Sequence, residues 1–253
     1  MILFRSLKHL MGKLGLEISR KKSILEFPIE LSKPEQDLIK FIFDKQYSMT
    51  SINNLFATAL ACKYIIKNGI DGDFVECGTY RGGHALLAAG IFKLHNQTRK
   101  VWMYDTFEGM TQPEEIDVEV KTGLIAKHFY ELNRKDSITD WCYASLQEVR
   151  NNFKEMDLLN ENIRFIKGDV CLTLLDNAKL PKNIAILRLD TDWYSSTKVE
   201  LEVLYPLLTH SGILVVDDYG WWKGSKLATD EYFNDKVVFM NYIDQGARSW
   251  SKN

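Results

Sequence analysis

Cysteine is scarce and scattered, with four residues at positions 62, 77, 142 and 171 and no C-x-x-C pair among them. That spacing excludes the usual zinc-ribbon pattern and a disulfide framework, and it fits reduced thiols. A charge excess of one sign is missing as well. The formal net charge is -2, so the clustered basic surplus expected of a nucleic-acid partner is absent. No run approaches the roughly 18 consecutive apolar residues of a membrane span, and the first residues lack the apolar core of a signal peptide. The expectation is a cytoplasmic protein without a transmembrane segment. The three-glycine G-x-G-x-x-G fingerprint of dinucleotide enzymes is also missing.

What is present suffices for one large domain, since 253 residues at 45% hydrophobic can bury an ample core. Residues 1–50 read as an N-terminal helical arm. Its first 23 residues are basic and mildly amphipathic, with Arg5, Lys8, Lys13, Arg20, Lys21 and Lys22 among Ile2, Leu3, Phe4, Leu7, Leu10, Met11 and Leu14. Such a pattern fits either a solvated helix docked on its own domain or one that meets a partner or a membrane surface. From residue 51 the main domain begins. Ile52, Leu55, Phe56, Ala59, Cys62 and Ile66 keep helical spacing behind a Thr50 or Ser51 N-cap, and Asn68-Gly69 ends that helix.

Apolar runs near 73–77, 101–104, 163–166, 184–189 and 213–217 then alternate with helical stretches, the pattern of parallel strands buried on both faces. The last segment differs. The runs 237–243 and 247–250 flank Asp244-Gln245-Gly246, a short polar link with glycine that predicts a hairpin. The predicted fold is therefore α/β and Rossmann-like, a mostly parallel seven-stranded sheet with an antiparallel C-terminal hairpin, which matches the sheet of class I methyltransferases. An insertion at about 107–143 follows a strand end that faces the crevice, so it reads either as a lid or as a helical excursion without a catalytic part.

Chemistry gathers at the strand ends. At Val75-Glu76-Cys77-Gly78-Thr79-Tyr80-Arg81-Gly82-Gly83 an apolar strand enters a glycine turn, where missing side chains let the backbone approach a ligand. Glu76 beside that turn suits a cationic ligand such as the amino group of S-adenosylmethionine. Asp105, at the end of the second strand, can accept both hydroxyls of a ribose, as it would equally in an NAD enzyme. Gly168-Asp169 after the third strand sits where adenine would lie, although Asp169 alone also reads as an N-cap. Four further acids end two buried strands: Asp190 and Asp192, then Asp217 and Asp218. Buried carboxylates are costly unless paired or ligated. Asp190, Asp217 and Asp218 suit an oxygen shell for magnesium, and Asp192 suits a general base; the competing reading makes these acids helix caps.

These stretches, with Tyr104-Asp105-Thr106-Phe107-Glu108-Gly109-Met110, Leu189-Asp190-Thr191-Asp192-Trp193-Tyr194-Ser195-Ser196-Thr197, Leu204-Tyr205-Pro206-Leu207-Leu208 and Gly212-Ile213-Leu214-Val215-Val216-Asp217-Asp218-Tyr219-Gly220, resemble the macrocin O-methyltransferase family over about residues 45–250. The resemblance implies an S-adenosylmethionine- and magnesium-dependent O-methyltransferase acting on a sugar hydroxyl of a polysaccharide, glycan precursor or glycosylated natural product. It implies metal ligands at Asp190, Asp217 and Asp218 and a base at Asp192. The cofactor set it implies is Glu76, Gly78, Thr79, Tyr80, Arg81, Gly82, Gly83, Asp105, Thr106, Gly168, Asp169 and Asp190. A homodimer or higher homo-oligomer is implied too, with the Tyr47-Ser48-Met49-Thr50 stretch near the site. The partner is a saccharide or another diol-bearing small molecule. A catechol-like acceptor, an NAD-dependent oxidoreductase and a non-catalytic carbohydrate-binding relative are the alternatives. Two positions depart from the family pattern. His84 follows the double glycine, where a packed histidine is expected rather than a metal ligand, and Trp221-Trp222 is bulky enough to stack on a sugar ring or to pack internally.

Overall fold

The computed structural model describes residues 25–135, 138–234 and 238–253; the basic segment 1–23 lies outside them. Helix α1 (Lys33–Asp44) opens with a capping box between Ser32 and Glu35. Helix α2 (Ile52–Lys67) is capped by Ser51, whose side chain accepts from the Asn54 amide, so the predicted helix stands with its predicted cap. Glu35 is fully buried and receives Lys63 Nζ at 2.7 Å and His95 Nε2 at 2.8 Å. Burial opposes its ionisation, but the hydrogen bonds from Lys63, His95 and Ser32 outweigh it and hold the carboxyl at about 2.

The sheet comprises β1 (Asp73–Cys77), β2 (Val101–Asp105), β5 (Ile163–Lys167), β6 (Ile184–Leu189), β7 (Leu208–Val216), β8 (Asn241–Tyr242) and β9 (Arg248–Ser251). Their spatial order is β5-β2-β1-β6-β7-β9-β8. The first five run parallel; β9 is antiparallel to both β7 and β8. This is the predicted seven-stranded α/β sheet. Two boundaries differ from expectation. β7 begins at Leu208 rather than near 213, because the polar stretch Thr209-His210-Ser211 is held in strand geometry by bonds such as Ser211 N to Lys252 O. Among the described residues of the hairpin's first arm only Asn241–Tyr242 pairs, and Phe239 is 83% exposed.

Register explains the site. Cys77 lies opposite Tyr104 and Leu189, and Leu189 lies opposite Val216. The next residues of four adjacent strands, Gly78, Asp105, Asp190 and Asp217, therefore emerge side by side at the carboxyl edge. Ligands of open α/β sheets bind at that edge, where the connections to either side of β1 diverge.

Helix α3 (Gly83–Leu94) follows the glycine turn, with ten of its twelve residues buried, and it packs on α1, α2, β1 and β2. The insertion after β2 carries α4 (Ala126–Asn133) and a small antiparallel pair, β3 (Arg134–Lys135) with β4 (Ile138–Thr139). Helix α5 (Leu146–Glu155) closes the β2–β5 connection, and the one-turn α6 (Val170–Thr173) follows β5. Helix α7 (Tyr194–Leu204) joins β6 to β7, and α8 (Lys223–Tyr232) packs along it. The insertion is stitched to the start of α8 by Val120 N to Trp221 O at 2.7 Å and Lys223 N to Val118 O at 2.9 Å. Buried Asp117 accepts from Tyr194 N at 2.9 Å, at the first turn of α7. It fits there because Gly224 has no side chain; a Cβ would come within 1.9 Å of Asp117 Oδ1.

Ile39 and Ile42 of α1 are completely buried in the core cluster that α2 and α3 share. Ile39→Ala should cost about 2–5 kcal/mol, the range for a buried large-to-small change. Denaturant unfolding should show a single transition at a lower midpoint; an unchanged midpoint would separate α1 from the domain's cooperative unit.

Candidate active site

The glycine turn is built around two constraints. Gly78 has φ +77, and a Cβ there would lie 1.8 Å from Asp190 O, so no other residue lets β1 and β6 end this close together. The Asp105 carboxylate then gathers the turn. Its Oδ2 accepts from Thr79 N at 2.6 Å and Tyr80 N at 3.2 Å, and its Oδ1 from Phe107 N at 2.7 Å. Burial raises the Asp105 pKa while these amides pull it back. Thr106 bonds back to Gly109 O at 2.6 Å and shapes the turn after Asp105.

Glu76 is the most exacting residue of the turn. It is 1% exposed, its Oε1 accepts from Arg188 Nε at 3.2 Å, and its Oε2 has no partner in the protein. Burial pushes its carboxyl up to about 8. An orphaned buried oxygen beside a cavity fits a cationic group of a ligand. Asp169 caps α6 by accepting from Cys171 N at 2.9 Å and lines the same cavity with Gly168. Arg81 does not join them: it pairs with Glu148 of α5 at 2.8 Å, and it, Gly82 and Gly83 are not among the cavity-lining residues.

Behind the acids lies a residue that motif reading passed over. Arg188, inside β6 and fully buried, reaches Asp190 Oδ2 and Asp217 Oδ1, each at 2.8 Å, besides Glu76. An arginine within an otherwise apolar strand, two residues before an aspartate, was the available signal. Asp190, Asp192 and Asp218 bring carboxylate oxygens within 4.8 Å of one another. Asp217 lines the cavity as well, but one of its oxygens is taken by Arg188. Asp192 is held at φ +69 and donates its backbone N–H to Asp218 Oδ2 at 3.1 Å. A non-glycine residue in the left-handed region persists only where its surroundings over-determine it.

The single guanidinium cannot balance five carboxylates. Burial, followed by mutual repulsion, raises Asp190 and Asp218 well above the ordinary carboxylate range and Asp192 to about 8. Clustered oxygen donors with surplus negative charge are what a hard divalent cation takes, so the donor set fits magnesium. His84 is not part of that set: it is buried between Thr58 Oγ1 at 2.8 Å and Thr50 Oγ1 at 2.9 Å, and burial keeps it neutral.

The cavity holds about 410 Å³. Ser48, Met49, Thr50 and Asn54 line it from one side, and Met110, Thr111, Trp141 and Cys142 of the insertion line it from the other. Trp221 and Trp222 also line it, and Trp222 packs edge-on against Trp193 with ring centroids 5.2 Å apart. Residues 37–252 match the macrocin-O-methyltransferase (TylF) family. The chain belongs to that family, and it is an O-methyltransferase. It is 35% identical to demethyldecarbamoylnovobiocin O-methyltransferase of Streptomyces niveus over 74% of this chain and 67% of that protein. It is 30% identical to 8-demethyl-8-(2,3-dimethoxy-alpha-L-rhamnosyl)-tetracenomycin-C 4'-O-methyltransferase of Streptomyces olivaceus, over 68% of this chain and 62% of that one. The chain thus spans about two thirds or less of the length of these relatives. The structure of the O-methyltransferase NovP superposes with a TM-score of 0.70 at 32% identity, covering 82% of each chain. Calicheamicin methyltransferase CalS11, at 15% identity and a TM-score of 0.59, shares the fold.

The acid cluster makes stability depend on pH. Asp190, Asp192 and Asp218 bind protons more tightly folded than unfolded, so without a cation the folded state holds more protons across that window and loses stability as pH rises. Calorimetry of EDTA-treated protein should show Tm falling between about pH 5 and about pH 8, and magnesium should restore more of it at the higher pH. A magnesium effect equal at both ends would remove the acid cluster as its site.

Proposed function

We propose that this protein transfers a methyl group from S-adenosylmethionine to a hydroxyl of a sugar, with magnesium bound at the acid cluster. The acceptor class is a glycosylated natural product, a glycan precursor or a polysaccharide. The observation carrying this reading is the grouping of Asp190, Asp192 and Asp218 in one cavity with the orphaned Glu76 Oε2 and the glycine turn. The names of the relatives support the acceptor class, since one is a methyltransferase for the 4' position of a rhamnosyl tetracenomycin and another, of Micromonospora griseorubida, for the 3'' position of mycinamicin III.

When bound, S-adenosylmethionine would supply an electrophilic methyl group, and magnesium would lower the pKa of the acceptor hydroxyl. The chain's residues do the rest. Glu76 Oε2 would receive the cofactor's ammonium, and Asp105, whose amide contacts hold the turn in shape, would offer Oδ1 to a ribose hydroxyl in place of its long 3.4 Å contact from Thr106 Oγ1. Asp190 and Asp218 would hold the cation, with Asp217, which lines the same cavity, as the third ligand. Arg188 anchors Asp190 and Asp217 from behind, so that neither has to be repositioned as charge shifts in the site. Asp192, displaced from the strand axis by its left-handed backbone, takes the proton of the acceptor hydroxyl. The tryptophans and the insertion cover the cavity and limit water at the reacting atoms.

Activity after exhaustive EDTA treatment should be lost and should return with magnesium. Asp217→Asn and Asp218→Asn should lower magnesium affinity and turnover together, whereas Asp192→Asn should keep metal and cofactor bound and lose about 10²–10⁴ in kcat. Chelated enzyme turning over as fast as the restored enzyme would defeat the metal assignment; magnesium lost in Asp192→Asn but kept in Asp217→Asn would exchange the two roles.

The cofactor reading has its own check. Isothermal calorimetry should find binding of S-adenosylmethionine or its demethylated product and none of NAD. Asp105→Ala should weaken that binding by about 1.5–3 kcal/mol through lost charge-assisted hydrogen bonds. Tight NAD binding without a response to the sulfonium compound would overturn the reading.

A further inference from the structure

A second cavity of about 280 Å³ opens beside the first, lined by Glu119, Leu124, Phe129, Trp141, Trp221 and Trp222. Trp141, Trp221 and Trp222 line both cavities, so these three indoles form the partition between them. Resting on the sugar-methylating reading above, we propose that this second cavity is an aglycone subsite, holding an aromatic or flat apolar group attached to the sugar that is methylated.

Polarity divides the two cavities. The first presents carboxylates and suits a hydroxyl-rich ring, whereas the second presents indoles, a phenyl ring and a leucine. Its single charged residue, Glu119, already accepts from the Thr122 hydroxyl. A second sugar would need more hydrogen-bonding partners than these walls hold, while an aromatic group gains from edge and face contacts with the rings. The walls are also held in place before any ligand arrives. Phe129 stands edge-on to Trp141 with ring centroids 4.7 Å apart, and Trp141 to Trp222 at 6.1 Å. The Glu119–Leu124 turn closes through Glu119 N to Leu124 O at 2.8 Å, and Val120 N to Trp221 O ties it to the tryptophan pair. A preformed apolar wall spends little of its binding energy on ordering side chains.

The subsite explains how a leucine and a phenylalanine of the insertion and the tryptophan ahead of α8 can stay solvent-accessible without being packed away. Leu124 is 44% exposed, Phe129 39% and Trp221 36%, and all three face this one cavity. An exposed apolar group repeated around a single concavity marks a binding surface more strongly than the same residues scattered singly.

The test uses the full chain with S-adenosylhomocysteine and magnesium, and calorimetry with methyl and phenyl glycosides of the same panel of sugars. The phenyl glycoside of an accepted sugar should bind about tenfold more tightly than the methyl glycoside, the gain expected from burying one ring. Leu124→Trp, which fills the cavity, and Phe129→Ala, which removes a wall, should each erase that preference. Equal affinities in the unaltered protein, a preference that survives both variants, or tighter binding of a disaccharide than of the phenyl glycoside would overturn the proposal. Quenching of tryptophan emission by 1-naphthol alone separates this inference from the function it rests on. If no glycoside binds, the sugar reading fails; naphthol binding abolished by Leu124→Trp would still support an aromatic subsite, and naphthol binding that persists in that variant, or is absent in the unaltered protein, would overturn it.

Discussion

Arg188 is the charge on which the site depends. It is a fully buried guanidinium near the carboxyl end of a parallel strand, and three carboxylates from three neighbouring strands converge on it: Glu76 of β1, Asp190 beyond β6 and Asp217 beyond β7. A lone buried cation would be costly, and so would each acid without it. Together they form a network whose members fix one another's position. The price is a surplus of negative charge facing the cavity, which the protein leaves on Asp192 and Asp218 rather than neutralising with a second basic side chain.

That surplus is confined by geometry. Parallel register delivers Gly78, Asp105, Asp190 and Asp217 to one edge, so the glycine turn and the acids share a wall only because the strand ends are level. Asp105 then holds the glycine turn through its backbone amides, and the closeness of Gly78 to Asp190 leaves no slack between turn and acids. Function here follows from strand pairing: a slip of one residue in β6 would turn Asp190 to the other face and point Arg188 away from Glu76.

Much of this was legible in the sequence. Long apolar runs revealed the parallel strands because strands buried on both faces carry no alternation to obscure them, and the polar link at Asp244 with its glycine revealed the hairpin. Acids directly after apolar runs were readable as a cluster for the same reason, since topology alone brings such ends together. Side-chain partnership was not legible. The sequence separates Asp217 as a metal ligand from Asp192 as a base, but only packing reveals that Arg188 occupies one oxygen of Asp217 while Asp192, in a left-handed backbone, donates its amide to Asp218. Arg81 illustrates the converse: it stands in a cofactor motif, yet its partner Glu148 lies 67 positions further along on α5 and draws it from the cavity. Short polar strands such as Thr209-His210-Ser211 were hidden because their pairing comes from Lys252 and its neighbours at the far end of the chain, not from their own composition.

The contact between Asp117 and Gly224 gives the cavity roof an unusual kind of hinge. The carboxylate reaches the first amide of α7 through a gap the width of a missing methyl group, and it carries the insertion with it. The placing of the insertion against α7 therefore depends on an atom that is not there, two residues after the cavity-lining Trp222. Related chains could widen or narrow their mouths for bulkier or slimmer acceptors by changing that one residue, leaving every acid and every tryptophan where it stands.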